Sequence, residues 1–263
     1  MTSEKTQGMT RWPYPLWMAH RGAGKLAPEN TLAAFRLGAS HGYRAFECDV
    51  KLSADGVPFL LHDSSLERTT SGHGVAGNRT WRELSQLDAG GWHSRAFAGE
   101  PLANLADVAG YCVLNDLALN IEIKPTPGDE ALTGRVVAAH AASLWASQTL
   151  QPLLSSFSPD ALLAARAAAP HLPRALLLDS LHEGWLKQAQ TLGCVAVVIR
   201  HSLITAGVVT GLHDAGLRAL AYTVNDPTEA QRLIALDIDG LITDAVDRFA
   251  PGIPARRCST QLR

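Results

Sequence analysis

Three stretches of this chain put titratable residues where an apolar run ends. "LWMAH" finishes on His20 with Arg21 directly behind it. "AFECDVK" carries Glu47, Asp49 and Lys51, and "LNIEIK" carries Glu122 and Lys124. Residues i and i+2 of an extended strand share a face. Glu47, Asp49 and Lys51 therefore lie together, opposite Phe46, Cys48 and Val50, while Asn120, Glu122 and Lys124 lie opposite Ile121 and Ile123. Three carboxylates converging on one place repel each other and are costly to strip of water. A divalent cation resolves both problems, and an all-oxygen set favours a hard ion, Mg²⁺, Ca²⁺ or Mn²⁺, over zinc. Three carboxylates, the ion, Arg21 and Lys124 leave one net positive charge, matched to the single negative charge of a phosphodiester. His62, at the end of "FLLHD", supplies a second imidazole to set against His20. Free imidazole titrates at about 6.5, so one ring can accept a proton while the other gives one. The ion, Arg21 and Lys124 would stabilise the charge of a pentacovalent phosphorane.

Each pattern has a plainer reading taken alone. Glu47 and Asp49 fit a solvated sheet edge, and Glu122 with Lys124 fits a surface ion pair. It is their joint occurrence at strand ends that points to a site. His41, His140, His171, His182 and His213 fall in helical or loop contexts and receive no role, while His73 and His93 stay undecided. Glu29 and Asn30 stand where the first helix begins and read as its cap.

The elements that must position these groups follow from periodicity. The 263 residues allow one large α/β domain or two small ones. Eight short apolar runs end near His20, Val50, Lys124, Phe157, Asp179, Arg200, Val224 and Asp244. Between most of them lie segments of helical period such as "SPDALLAARAAAP", where Ser158 reads as an N-cap and Pro159 as the first helical residue; Asp226-Pro227 repeats the signal. This alternation predicts a (β/α)₈ TIM barrel. The competing open doubly wound sheet usually carries a G-x-G-x-x-G turn after its first strand, which is missing here. "ECDVKLSADGVPFLLHD" breaks the alternation and reads as a β-hairpin at the C-terminal mouth. A two-residue turn at Asp55-Gly56 would pair Ala54 with Val57 and Asp49 with His62. The following Gly-rich segment, 64–104, reads as a small insertion over the mouth. The barrel is expected to form a single catalytic domain over 14–249, with a frayed C-terminal tail at 250–263.

Bulk properties exclude several classes. A net charge of −2 with no polybasic run predicts no nucleic-acid partner and no membrane partner. Cys48, Cys112, Cys194 and Cys258 stand far apart with no C-x-x-C, which argues against a zinc ribbon or disulfide framework and for a reducing compartment. The opening "MTSEKTQGMTRWPYPLW" has no apolar core of a signal peptide. The expectation is a cytoplasmic enzyme acting on a small molecule.

Five segments, "AHRGAGKLAPENTLAAF", "ECDVKLSADGVPFLLHDSSLERTTSGHG", "NIEIKP", "LLSSFS" and "YTVNDP", resemble the glycerophosphodiester phosphodiesterase signature in its own order, and the likeness runs from Trp12 to about Asp247. It is nearest to the cytosolic bacterial members. The resemblance implies a (β/α)₈ barrel and a metal-dependent phosphoric diester hydrolase. Its substrates would be deacylated phospholipids such as glycerophosphocholine and glycerophosphoethanolamine, split to sn-glycerol 3-phosphate and an alcohol. Carried onto this chain it makes His20 and His62 the acid–base pair and Glu47, Asp49 and Glu122 the ligands of one divalent cation. It makes Arg21 and Lys124 the phosphate contacts, with Phe157 and Tyr222 as walls of the substrate pocket. Tyr222 stands where members often have tryptophan, and Ala103 where proline is common. Two other readings of the same residues are a phospholipase-type phosphodiesterase of the same superfamily and a non-catalytic phosphate sensor. The first calls for a membrane-binding patch, the second for loss of one paired histidine or carboxylate, and the sequence carries neither.

Overall fold

The computed structural model describes residues 12–249 and Pro251. Cys258 and, apart from Pro251, the tail from residue 250 lie outside the described residues. Eight parallel strands close on themselves: β1 (Trp17–Ala19), β2 (Ala45–Leu52), β4 (Ala118–Ile123), β5 (Leu153–Ser156), β6 (Arg174–Leu178), β7 (Ala196–Arg200), β8 (Arg218–Tyr222) and β9 (Gly240–Thr243). Each pairs with its neighbour, and β1 pairs with both β9 and β2, so the chain forms a TIM barrel. A ninth strand, β3 (Pro58–Leu60), runs antiparallel against β2. The helices are α1 (Leu32–Ser40), α2 (Trp81–Leu84), α3 (Leu105–Leu114), α4 (Glu130–Leu144), α5 (Pro159–Ala168), α6 (Trp185–Thr191), α7 (Ala206–Asp214) and α8 (Pro227–Ala235). No helix among the described residues is long and apolar enough to cross a membrane.

Alternation divides every strand between two cores. Met18, Ala45, Leu153, Leu177, Val198 and Ile242 fill the barrel interior. Phe46, Cys48, Val50, Ile121 and Ile123 point outward into the layer shared with the helices. Phe46 meets Phe35 of α1 at a ring separation of 5.2 Å, and burying such a ring is worth about 1.5–3 kcal/mol. Cys48, Cys112 and Cys194 are buried free thiols. The interior face of β2 carries Glu47, Asp49 and Lys51, all buried, so the acidic set points inward.

The hairpin differs from the expectation by one residue. Ser53 N–H donates to Val57 O, and Gly56 N–H donates back to Ser53 O, which makes a three-residue turn of Ala54, Asp55 and Gly56. Gly56 takes φ +79°, the left-handed conformation that such a turn needs and glycine adopts without penalty. The ladder consequently pairs Val50 with Leu60, and Asp49 O accepts from Leu61 N–H rather than facing His62. Because β3 ends at Leu60, the chain is released from strand alternation before His62, which still lies near enough to Asp49 for their charges to interact. Residues of the following segment close over a small apolar cluster of their own, with Leu66, Ala76, Leu84 and Leu102 packed on Phe59 and Leu61.

Ser158 and Asp226 cap α5 and α8, with Pro159 and Pro227 behind them. The start of α8 is also tied to the β7–α7 connection. Glu229 accepts from His201 Nδ1 at 2.7 Å and from Arg232 Nε at 2.7 Å, and Arg232 donates onward to Ile204 O at 2.8 Å. Arg232, and behind it His201, hold the Glu229 carboxyl down at about 2. A depressed folded-state pKa stabilises above the unfolded value of about 4.3 and is lost as pH falls through the folded value. Replacing Glu229 by Gln therefore lowers the melting temperature at pH 7 by roughly 2–4 °C, the effect of about 1 kcal/mol on a domain of this size once exposure is allowed for. The gap to wild type narrows by about half at pH 3. Calorimetry from pH 7 to pH 3 measures it, and a gap constant over that range contradicts the assignment.

Candidate active site

The strand ends bring His20, Arg21, Glu47, Asp49, Glu122 and Lys124 to one mouth. One oxygen from each of Glu47, Asp49 and Glu122 lies within 4.8 Å of the others, and all three residues are buried. In β2 and β4 this follows from register, since Asp49 pairs with Glu122. Glu47 Oε2 accepts from the Arg21 backbone N–H at 3.1 Å, whereas its Oε1 is buried with no hydrogen-bond partner. Asp49 Oδ2 accepts from Asn30 Nδ2 at 2.9 Å, and its Oδ1 is likewise an orphan, with Lys124 Nζ 3.5 Å away. Buried anionic oxygens without partners are rare and costly. Two of them belonging to one all-oxygen cluster fit a hard divalent ion. The titration pattern carries the same stress. Burial, then the Asp49 charge, pushes the Glu47 and Glu122 carboxyls up. Asp49 is also driven up by burial, but Arg21, Lys124 and the Asn30 hydrogen bond outweigh that and hold it down.

Arg21 sits at φ +52°, an uncommon conformation for a side-chain-bearing residue that costs of order 1 kcal/mol or more. Its backbone N–H to Glu47 and its ion pairs to Asp49 (3.1 Å) and Glu29 (2.8 Å) hold it there. The glycine loop behind it is packed against protein: a Cβ on Gly24 would stand 2.2 Å from Asp244 O. Its need for glycine is close backbone packing, which also seats the loop beside the partner of His20.

That partner is Asp244. His20 Nδ1 and Asp244 Oδ1 are 2.6 Å apart, and Asp244 is itself held by Asn225, which donates from Nδ2 at 3.1 Å and accepts the Asp244 N–H at 2.8 Å. His20 and Arg21 hold the Asp244 carboxyl below its usual range against the opposing effect of burial. A carboxylate only accepts, so the proton sits on His20 Nδ1 and Nε2 turns to the site, 3.7 Å from Glu47 Oε2. His20 titrates upward despite burial because Asp244 and Glu47 favour its charged form, whereas burial drives His62 downward. His62 repeats the orientation with the next residue, Nδ1 lying 2.7 Å from Asp63 Oδ1, and it is near enough to Asp49 for each charge to bear on the other. Phe157 and Tyr222 meet edge to face with centroids 5.9 Å apart, and Lys124 Nζ stands 5.8 Å from the Phe157 ring. Phe157 is 41% exposed, an open aromatic surface at the mouth.

Glu29 and Asn30 do not cap the first helix. Thr31 does, accepting from Ala34 N–H. Asn30 takes φ +61° and clasps Asp49 twice, and Glu29 serves Arg21. Asp244, Asn225, Asp63 and Arg68 had no assigned role from sequence. Asp63 was marked only by following His62, and Asp244 only by being in phase with Ile242 on an inward face.

A family model described as the glycerophosphoryl diester phosphodiesterase family matches residues 20–248. The chain belongs to this family. A glycerophosphodiester phosphodiesterase from Caldanaerobacter subterraneus subsp. tengcongensis is 32% identical over 234 residues, 87% of this chain and 93% of the relative. Among solved structures, a phosphodiesterase of Oleispira antarctica in complex with the product sn-glycerol-3-phosphate superposes with a TM-score of 0.82 and 33% identity, covering 88% of this chain and 94% of that one. A glycerophosphodiester phosphodiesterase of Agrobacterium tumefaciens superposes with a TM-score of 0.76 and 30% identity, over 90% of this chain and 99% of that one. The matched region begins at His20 and contains every glycerophosphodiesterase candidate residue named above.

Proposed function

We propose that this chain hydrolyses glycerophosphodiesters, such as glycerophosphocholine and glycerophosphoethanolamine, to sn-glycerol 3-phosphate and an alcohol, at a single site formed by one catalytic domain over residues 14–249. The observation that carries the reading is the convergence of Glu47, Asp49 and Glu122 in one buried cluster that includes two unpartnered carboxylate oxygens, with His20 Nε2 3.7 Å from Glu47 and His62 near enough to Asp49 for their charges to interact. Family membership and a structural neighbour solved with sn-glycerol-3-phosphate support the substrate class.

Glu47, Asp49 and Glu122 would hold one divalent cation, Mg²⁺ or Ca²⁺, with Mn²⁺ also suited to the oxygen set. Bound there, it supplies Lewis-acid polarisation of a phosphoryl oxygen. Arg21 and Lys124 hold the phosphate oxygens and stabilise charge that grows on them. His20 and His62, each with Nδ1 tied to an aspartate, present Nε2 to the substrate. One takes the proton of the attacking oxygen as its bond to phosphorus forms. The other gives a proton to the alcohol oxygen as its bond to phosphorus breaks. Phe157 and Tyr222 wall the organic part of the diester.

The test is release of sn-glycerol 3-phosphate from both diesters by chelator-treated protein, before and after adding back Mg²⁺, Ca²⁺ or Mn²⁺. Release is lost on chelation and restored by at least one ion. No release from either diester under any condition removes the proposal.

A further inference from the structure

We infer that Arg68 is a positioning residue that braces the second histidine and the phosphate-binding arginine with one guanidinium. The inference rests on the function proposed above for His62 and Arg21. Arg68 comes from neither a barrel strand nor a βα loop of the metal cluster; it lies just beyond β3, in the segment of residues 64–104. Its Nη1 and Nη2 donate to Glu29 Oε2 and Oε1, both at 2.8 Å. Its Nε and Nη2 donate to Asp63 Oδ2 and Oδ1 at 2.5 and 3.1 Å. Each carboxylate then makes one further bond toward the site. Glu29 Oε1 accepts from Arg21 Nη1 at 2.8 Å, and Asp63 Oδ1 contacts His62 Nδ1 at 2.7 Å. The unbroken order is Arg21, Glu29, Arg68, Asp63, His62.

The chemistry of the guanidinium explains why the hub is arginine. A planar fork grips two carboxylates along two edges with fixed geometry, which a lysine ammonium cannot do. Gripped at both oxygens, Asp63 cannot rotate its carboxylate plane away from His62, and the ring keeps Nδ1 protonated and Nε2 toward the substrate. Glu29 is held between two arginines and fixes the angle at which Arg21 leaves its strained backbone. The Arg68 side chain is 44% exposed and its ion pairs are with Glu29 and Asp63, so it bears on the site through those two carboxylates.

Replacing Arg68 by Met keeps the stem and removes the fork. We expect kcat to fall and KM to rise, with kcat/KM lower by about 10- to 100-fold, the usual effect of losing the support of a reacting group. Arg68→Lys recovers less than half of that loss on a logarithmic scale, and added methylguanidinium partly restores the Met variant. The decisive readout is a double-mutant cycle. On an Asp63→Asn, Glu29→Gln background the Arg68→Met change costs under about threefold, because its only routes are already cut. A residue that merely anchors the surface segment would instead lower the melting temperature and multiply its loss onto that background. Arg68→Met kinetics within twofold of wild type, or full multiplication in the cycle, overturns the inference. If the Met variant does not fold, Arg68→Gln is read in the same cycle with the same criteria. Failure of wild-type protein to release glycerol 3-phosphate removes the proposed function; an active wild type with an indifferent Arg68 removes the inference alone.

Discussion

Replacing Glu47 by Gln lowers kcat/KM by at least about 10³-fold, a loss of roughly 4 kcal/mol in transition-state stabilisation, and at the same time makes the chelated protein more stable. Both effects come from one charge. Glu47 keeps its shape in the variant, and the Arg21 N–H can still reach a carbonyl oxygen, but the orphaned anionic oxygen is gone. Without a cation, burial and the neighbouring Asp49 charge push the Glu47 carboxyl up to about 8. A carboxyl whose folded pKa lies above its unfolded value favours folding fully below about 4.3, and this contribution is lost as pH rises through the folded value. The Gln variant escapes that loss, so its advantage is greatest at pH 8 and above and fades toward pH 4. We expect its melting temperature in chelator to exceed wild type by roughly 3 °C or more at pH 8. The rise in melting temperature that Mg²⁺ or Ca²⁺ gives the wild type should vanish in the variant. Scanning calorimetry with and without cation, beside a product-release assay, reads all three. An undiminished cation-dependent rise, or activity within tenfold of wild type, means Glu47 is not a ligand.

Removal of either imidazole is the second large effect. His20→Ala and His62→Ala should each lower kcat by about 10²–10⁴-fold, the range for one positioned proton-transfer group, while cation-dependent stabilisation persists. The double variant should be little worse than the poorer single one, because acid and base serve the same displacement as a unit and losing either already disables it. Asp244→Asn belongs to the same experiment. It leaves His20 in place but removes the carboxylate that accepts from Nδ1 at 2.6 Å, and the amide can offer a donor to that nitrogen instead. Its cost should fall between wild type and His20→Ala, about 10- to 100-fold. Single-turnover kinetics on each variant separates the chemical step from binding. If either histidine variant keeps more than a tenth of wild-type kcat, that ring does not serve as acid or base.

The hairpin shows where sequence reasoning stopped short. Asp55-Gly56 marked the turn, but whether the loop holds two residues or three depends on the hydrogen bonds that Ser53 makes, and that difference moves every partner by one. Pairing Asp49 with His62 was therefore wrong in register. Proximity of the two survived because β3 is short and the backbone bends after Leu60. Glu29 and Asn30 were misread for a related reason. Polar residues before a helix cap it by default, and only the fold revealed Arg21, Arg68 and Asp49 within their reach.

Barrel class and the inward-facing acids were legible in the one-dimensional pattern, because strand alternation and helix-start chemistry are local rules that act within a few residues. Asp244 against His20 across 224 positions, and Arg68 joining Glu29 to Asp63 across 39 and 5, were decided only when the barrel closed and the post-hairpin segment settled on its mouth. Such contacts follow from where separate elements come to rest in space, and no periodicity along the chain encodes that distance.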